Sequence, residues 1–380
     1  MPGFRSPYVF GQAKERRGFG ACMTVAHWPL EDAPADIAMI PAEPDPARPR
    51  VSVIIVNWNR LDDVLMNLRY LRKLDYPDVE VIVVDNGSTD GSIERLRHMI
   101  GMRLICTGRN VGPSMARNVG ARAATGKYLL LLDSDAILSK RGLDALVDRM
   151  EADETIGVAG CRIYNWHTRR IDQWIYAEPY RTHGDRTFDT YSFSAAGALV
   201  RRDVFQRVGG FWEQLFIYNE EVDLAIRVIR SGHRVVYAPD APVFHRPAVT
   251  GRAPGATYFR QQIRNWIWIF FRHYGGWRCW WKVTEYSALY VIKGLVNRQL
   301  GACLRGILDG LRGRAIAREF PQKLTQAEAH LIRTLNRRRR LRLWNIMPVE
   351  TAKRERKRRV HRTSPTVTAP LANVAVAFSD

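Results

Sequence analysis

KYLLLLDSDAIL, residues 127–138, is the stretch on which the reading of the fold turns. Its four consecutive leucines are bounded too closely for a buried helix and do not alternate with polar residues, so they read as a strand covered on both faces. Two carboxylates, Asp133 and Asp135, follow at once. Toward the N-terminus, VSVIIV (51–56), VEVIVV (79–84) and MRLIC (102–106) have the same strand character. Helix-type patterns near 61–74, 90–100 and 113–124 separate them. Strand and helix alternating at this spacing predict right-handed βαβ units and a parallel sheet. Toward the C-terminus the pattern predicts a helix over 140–152 and strands over 156–162 and 195–200. A helix from about Glu220 to Ser231, closed by Gly232, and a strand over 234–238 complete it. The predicted class is α/β, with a Rossmann-like, mostly parallel central sheet flanked by helices.

The 380 residues, 46% hydrophobic and 10% aromatic, supply a core for one large or two modest domains. Residues 1–49 hold Pro29, Pro34, Pro41, Pro44, Pro46 and Pro49 with little apolar periodicity and read as an irregular leader. The leader lacks a basic start, apolar run and cleavage site in series, which argues against secretion. Five widely spaced cysteines, Cys22, Cys106, Cys161, Cys279 and Cys303, form no C-x-x-C pair and fit a reduced, cytoplasmic compartment.

The α/β domain is expected over 50–250, an aromatic and basic helical region over 251–335, and a basic, disordered tail over 336–380. Between 337 and 362, twelve Lys/Arg face two Glu, which locates half of the net charge of +20. Such a block is drawn to polyanions, whether anionic lipid or nucleic acid. In YFRQQIRNWIWIFFRHY (258–274) the longest charge-free run, Asn265 to Phe271, is far short of the roughly 20 residues a spanning helix needs. Residues 258–275 have two readings, an aromatic core between helices or a helix lying in a membrane interface. For Trp277 to Gly313 the expectation is membrane contact, peripheral to the inner face of the cell membrane.

In doubly wound sheets ligands bind beyond the carboxyl ends of the strands. Asn57 follows the first strand, Asp85 the second, Arg109 and Arg117 the third, and Asp133-Ser134-Asp135 the fourth. Two carboxylates after a buried strand either sit in an exposed turn or need a cation, and a magnesium- or manganese-type ion takes one or two carboxylates plus diphosphate oxygens. Asp85 suits a nucleobase N–H or a ribose hydroxyl, and equally an Asx turn. Arg117 suits a diphosphate. Glu220, Glu221 and Asp223 crowd the first turn of a helix in an apolar setting, where a carboxylate can be raised toward base duty; helix-dipole stabilisation explains the same cluster. His245 follows a short apolar run and is a candidate metal ligand or a structural imidazole.

VSVIIVNWN, VIVVDNGSTDGS, RNVGPSMARNVGARAATGKYLLLLDSDAIL, AAGALVRRDVFQRVGGF and FIYNEEVDLAIRVIRSGHRVVYAPDAPVFH together resemble family 2 glycosyltransferases. These are inverting enzymes of the GT-A fold, and the likeness is to bacterial rhamnosyl- and galactofuranosyl-type members over about residues 51–250. The resemblance implies a nucleotide-diphosphate sugar donor, a glycan or lipid-linked acceptor, Mn2+ or Mg2+, and a role in polysaccharide synthesis. It implies Asp85 as the base-binding aspartate and Asp135 as direct metal ligand; Asn57 and Arg117, from their places after the strands, are expected beside the donor. Asp133 would serve the ribose or orient the site, and His245 would complete the metal site. The acidic pair reads Glu220-Glu221 where the family has Glu-Asp, making Glu221 the candidate base. Trp212 stands where the family more often has Asp, and with Asp223 is assigned to the acceptor side.

Two other readings fit the sequence less well. A sugar-phosphate nucleotidylyltransferase would carry a Gly-rich basic loop after the first strand, where this chain has Asn57-Trp58-Asn59-Arg60. A nucleic-acid-binding protein with a degenerate enzyme core would use the basic tail, but nucleic acid is not the expected partner.

Overall fold

The computed structural model describes residues 48–172, 174–246, 255–318 and 323–336. The tail beyond 336 and the leader before 48 lie outside the described residues. Nine described strands form one sheet: β1 (Val51–Asn57), β2 (Val79–Asp85), β3 (Arg103–Cys106), β4 (Tyr128–Asp133), β5 (Ala136–Leu138), β6 (Ile156–Asn165), β7 (Phe188–Asp189), β8 (Gly197–Arg201) and β9 (Arg234–His245). Their order is β3-β2-β1-β4-β8-β6-β9-β5, with β7 added on β9. β3, β2, β1 and β4 pair in parallel. β8 runs antiparallel to both β4 and β6, so β6 and its parallel partner β9 point the same way as β1. The sheet is therefore mostly parallel, as the alternating pattern predicts.

Alternate residues of the apolar strands serve opposite layers. Ile55, Val83, Leu130 and Leu132 pack with Val64 and Leu68 of α1 (Leu61–Leu71). Ile54, Val84, Leu129 and Leu131 face the opposite layer. α2 (Ser92–Leu96) and α3 (Pro113–Ala123) complete the first half, and α3 places Ala116 and Ala121 in that second layer. α4 (Gly142–Ala152) adds Leu143, Leu146 and Val147 to the first. Fully burying each leucine of the run contributes about 1.5–3 kcal/mol, which is why no polar residue interrupts it.

β9 runs seven residues beyond the expected strand end at 238, through Pro239 and Pro242 to His245. Both prolines are accommodated because the β6–β9 register shifts between Cys161 and Arg162, a bulge of the kind that takes residues unable to donate to the ladder. The extra length matters for the site, since β5 pairs with it and sets Ala136 opposite His245.

The remaining helices are α5 (Tyr180–His183), α6 (Arg202–Arg207), α7 (Glu220–Arg230), α8 (Gly255–His273), α9 (Gly276–Val296), α10 (Leu300–Arg312), α11 (Arg314–Arg318) and α12 (Gln326–Leu335). α7 uses both faces: Leu224 and Val228 meet the sheet, while Val222 and Ile226 meet Ile263 and Ile267 of α8. α10 lies close on α8 because Gly306 and Gly310 carry no side chain there; a Cβ on Gly306 would collide with the Arg260 carbonyl. Ile263, Trp266, Ile267, Phe270 and Phe271 are buried, so of the two readings for 258–275 the structure shows aromatic core. No described helix is long and apolar enough to cross a membrane.

Candidate active site

The carboxyl ends of β1, β2 and β4 converge. Asn57 and Asp85 are register partners, and the Asn57 amide donates to Asp85 Oδ2 at 2.9 Å. Asp85 Oδ1 accepts from the backbone N–H groups of Gly87 and Ser88, at 3.1 and 2.9 Å. The Asx-turn alternative for Asp85 is thus realised, and the residue is fully buried. Gly87 is required there: its φ is +79°, and a Cβ would lie 2.5 Å from the Arg109 backbone. The Arg109 side chain is exposed.

At the end of β4, the short β5 carries the chain from Asp135 alongside β9 and brings Asp133, Asp135 and His245 together. One ligand atom from each lies within 4.8 Å of the others. His245 Nε2 is 3.4 Å from Asp135, while its Nδ1 is 3.0 Å from Asp172. Burial opposes charge on this imidazole, but the hydrogen bonds to Asp135 and Asp172 outweigh it and push its pKa up to about 10. Arg60 donates to Asp135 at 2.8 Å and Arg117 to Asp133 at 2.8 Å. The two carboxylates are thus compensated by cationic nitrogens on every side, an arrangement that a hard divalent ion with two oxygens and one imidazole as ligands also satisfies.

Arg117 is buried and reaches Glu220 as well, at 3.2 Å. It links the β4 end to the N-terminus of α7. Burial, then the charge of Glu221, push the Glu220 carboxyl up to about 8 against the opposing Arg117. Burial raises Glu221 too, again opposed by Arg117. Glu221 Oε1 lies 3.4 Å from the Ala195 N–H, and both glutamates line a cleft of about 640 Å³ with Arg117 and Asp133. The loop before them is strained: Phe216, Tyr218 and Asn219 all have φ between 64° and 76°.

Asn57, Asp85, Arg117, Asp133, Asp135, Glu220, Glu221 and His245 are therefore drawn to one side of the sheet. Trp212 and Asp223 are not, which corrects their assignment to the acceptor side. Trp212 is buried behind α7, with the Arg272 guanidinium 4.3 Å from its ring centroid and Trp268 at 6.2 Å. Asp223 points from the opposite side of α7 and is fully buried, accepting from Arg227 at 2.6 Å, His273 at 2.8 Å and Arg272 at 3.2 Å. These partners hold its pKa below the usual carboxylate range despite burial. The helical period explains part of the correction, because Asp223 lies two positions after Glu221, the spacing at which helical residues do not share a face.

Sequence reasoning missed four residues around the site. Asn67 of α1 donates to the carbonyls of Asp133 (3.0 Å) and Ala136 (2.8 Å), pinning the backbone of the triplet. Asn265 of α8 donates to the carbonyls of Leu215, Ile217 and Tyr218, at 3.0, 2.8 and 2.7 Å, pinning the strained loop. Arg60 and Asp172 are the other two. A polar residue inside an apolar helical face, as at Asn67 and Asn265, is the only signal the sequence offers for them.

Residues 52–209 match the family described as glycosyl transferase family 2. That stretch, less than half of the chain, runs from β1 through β8 and is similar to this family. A relative from Mycobacterium tuberculosis, named N-acetylglucosaminyl-diphospho-decaprenol L-rhamnosyltransferase, is 28% identical over 53% of this chain and 77% of its own length. Among solved structures, S. aureus TarS 1-349 in complex with UDP-GlcNAc superposes with a TM-score of 0.51 at 17% identity, covering 77% of this chain and 91% of TarS 1-349. GalNAc-T7 with UDP, GalNAc and Mn2+ gives 0.50 at 16% identity, over 70% of this chain and 55% of GalNAc-T7. At these identities the two likenesses concern the fold.

Proposed function

We propose that this chain moves a sugar, with inversion, from a nucleotide-diphosphate donor to a hydroxyl of a glycan or lipid-linked acceptor in cell-surface polysaccharide synthesis, peripheral to the inner face of the membrane. The observation that carries the reading is that one cleft holds a carboxylate of the Asp133–Asp135–His245 cluster, the buried Arg117, and Glu221. The lipid-linked acceptor and rhamnosyl-type chemistry draw on the name of the mycobacterial relative, and Mn2+ or Mg2+ on the cluster and the GalNAc-T7 complex.

Asp85 and Asn57 would hold the nucleoside, with Asp133 near the ribose and Asp135 and His245 holding the ion. The ion would supply charge stabilisation to the departing diphosphate. Arg117, between Asp133 and Glu220, adds a second cation beside that leaving group. Glu221 takes the acceptor hydroxyl proton as that oxygen forms its bond to the anomeric carbon. The bond from that carbon to the diphosphate oxygen breaks on the opposite side, its electron pair leaving with the nucleoside diphosphate.

Positioned base catalysis is worth about 10²–10⁴ in rate. Glu221→Gln is expected to lower turnover by that order with donor binding retained, and near-normal turnover would sink the assignment. Because both glutamates are raised, the wild-type rate should climb with pH above the ordinary carboxylate range, as the pair ionises. Chelation should abolish transfer, and Mn2+ or Mg2+ restore it.

A further inference from the structure

The cleft does not end at the sheet. Its far wall is α9, which contributes Tyr286, Leu289, Tyr290 and Lys293. The Tyr286 ring lies 5.0 Å from Trp266 and 4.8 Å from Phe270. The Tyr290 hydroxyl donates to Gln262 at 3.1 Å, and the Lys293 ammonium sits 4.7 Å from the Tyr290 ring centroid. This end is aromatic, with Lys293 and with Glu285 paired to Lys282, where the Asp133 end is richer in carboxylates.

The outer face of the same helix, turned about 140° from the cleft wall at 100° per residue, carries Trp277, Trp281, Ile292 and Leu295, exposed by 72, 63, 46 and 59%. At about 100° and 1.5 Å per residue, these four fall within roughly 60° of one line along about 27 Å of α9. Trp280 and Val296 flank them, and Leu304 and Leu308 on α10 are exposed as well. Apolar surface of this kind marks a docking face. Its surroundings indicate what docks. Residues 276–312 contain Arg278, Lys282, Lys293, Arg298, Arg305 and Arg312 against two acids, Glu285 and Asp309. Both acids are already ion-paired, to Lys282 at 3.1 Å and Arg260 at 2.6 Å. Tryptophans bordered by surplus positive charge match an anionic headgroup layer rather than an uncharged partner.

We propose that this end of the cleft is the subsite for an acceptor carried on a phosphate- or diphosphate-linked lipid, delivered by an anionic bilayer on which the outer face of α9 rests. The aromatic wall takes the acceptor sugar, Lys293 pairs with the lipid phosphate, and the chain passes round α9 by Leu289 and Ile292 to the Trp277–Leu295 stripe. The direction of sugar transfer rests on the function proposed above; the membrane and phosphate contacts do not.

Flotation of the full chain tests both contacts without turnover, so its failure is distinct from a failure of the Glu221→Gln test. The vesicles are phosphatidylcholine with about a quarter phosphatidylglycerol, with and without undecaprenyl phosphate. Wild type should float, and more strongly when undecaprenyl phosphate is present. Trp277→Ser with Trp281→Ser should lower partitioning about tenfold or more with Mn2+ binding unchanged. Lys293→Ala should still float but lose the gain from undecaprenyl phosphate, and Lys293→Arg should regain it. Wild-type protein that does not float overturns the proposal, as does a tryptophan variant that partitions like wild type or a Lys293→Ala variant that keeps the gain. A wild-type dimer in sedimentation that the tryptophan substitutions dissolve also overturns it, by making the stripe an interface between copies.

Discussion

The two ends of the cleft are held by the same device on unlike frames. At the metal end, strands β1, β2 and β4 present Asn57, Asp85 and Asp133, and one buried amide, Asn67, pins the backbone after β4. At the Glu221 end there is no strand to present anything. A loop with three residues at positive φ is pinned by one buried amide from outside the α/β layers, Asn265 of α8. The first end inherits its geometry from sheet register, whereas the second depends on how well α8 docks on α7. Perturbing that docking should therefore damage the acidic pair and spare the metal cluster.

The largest effect is expected at Asp223, the charge at the α7–α8 junction. Asp223→Asn leaves Arg227 and Arg272 without their buried counter-ion, and such a loss typically costs about 3–5 kcal/mol. Denaturant unfolding would show it. The pH dependence has a definite sign. Asp223 is depressed, so its stabilisation is present above the unfolded carboxylate value and fades as pH falls through the lower folded one. His273 is also depressed, mainly by burial, so acid that protonates the unfolded histidine near pH 6.5 destabilises the fold further. Wild type should lose stability in acid from both causes, and the variant should show a shallower loss below pH 4.

Next comes Asn265→Ala. It takes the Asn265 donor from the carbonyls of Ile217 and Tyr218, while Leu215 keeps Arg264 and the Ile217 N–H; each carbonyl left buried and unpaired costs about 1–3 kcal/mol, and the strained loop is freed to relax. Turnover should fall more than tenfold, while Mn2+ affinity by electron paramagnetic resonance stays within twofold. Equal losses in both would show that the two ends are one unit. Asp172→Asn is the converse probe, smaller in effect. Its carboxylate fixes His245 through Nδ1, leaving Nε2 toward Asp135. Partners of this kind are worth about 10–100-fold in metal affinity, so Mn2+ should bind that much more weakly, with turnover recovering at saturating metal.

The same contrast explains what the sequence could reveal. The metal end was legible because unbroken Val/Ile/Leu runs mark doubly covered strands, and the residue after each run must fall at the sheet edge; Asn57, Asp85 and Asp133 follow from that alone. His245 was harder, because Pro239 and Pro242 read as the end of a strand that a bulge in fact carries onward to the histidine. The Glu221 end was legible only as far as its charge cluster. Which of three carboxylates faces the cleft depends on the packing of α7 between the sheet and α8. Periodicity sees an apolar face there but not its two different partners. Asn265 and Asp172 are distant in sequence from what they hold, and a hydrogen bond across 47 or 73 residues leaves no local trace.

The smallest expected effect concerns Trp212, and it separates the two ends most cleanly. A ring stacked on an acceptor sugar would be exposed in the cleft and its loss would raise the acceptor KM. Trp212 instead lies against Arg272, the residue that also reaches Asp223, and against Trp268 of α8. Trp212→Phe keeps an aromatic face under the guanidinium and gives up part of a cation–π contact worth about 0.5–2 kcal/mol. The variant should unfold slightly more easily, by about 1 kcal/mol or less, with acceptor KM and Mn2+ affinity unchanged. A KM rise without any change in stability would return Trp212 to the acceptor. It would mean that the α7–α8 junction opens during turnover and that the Glu221 end is completed only when substrate is bound.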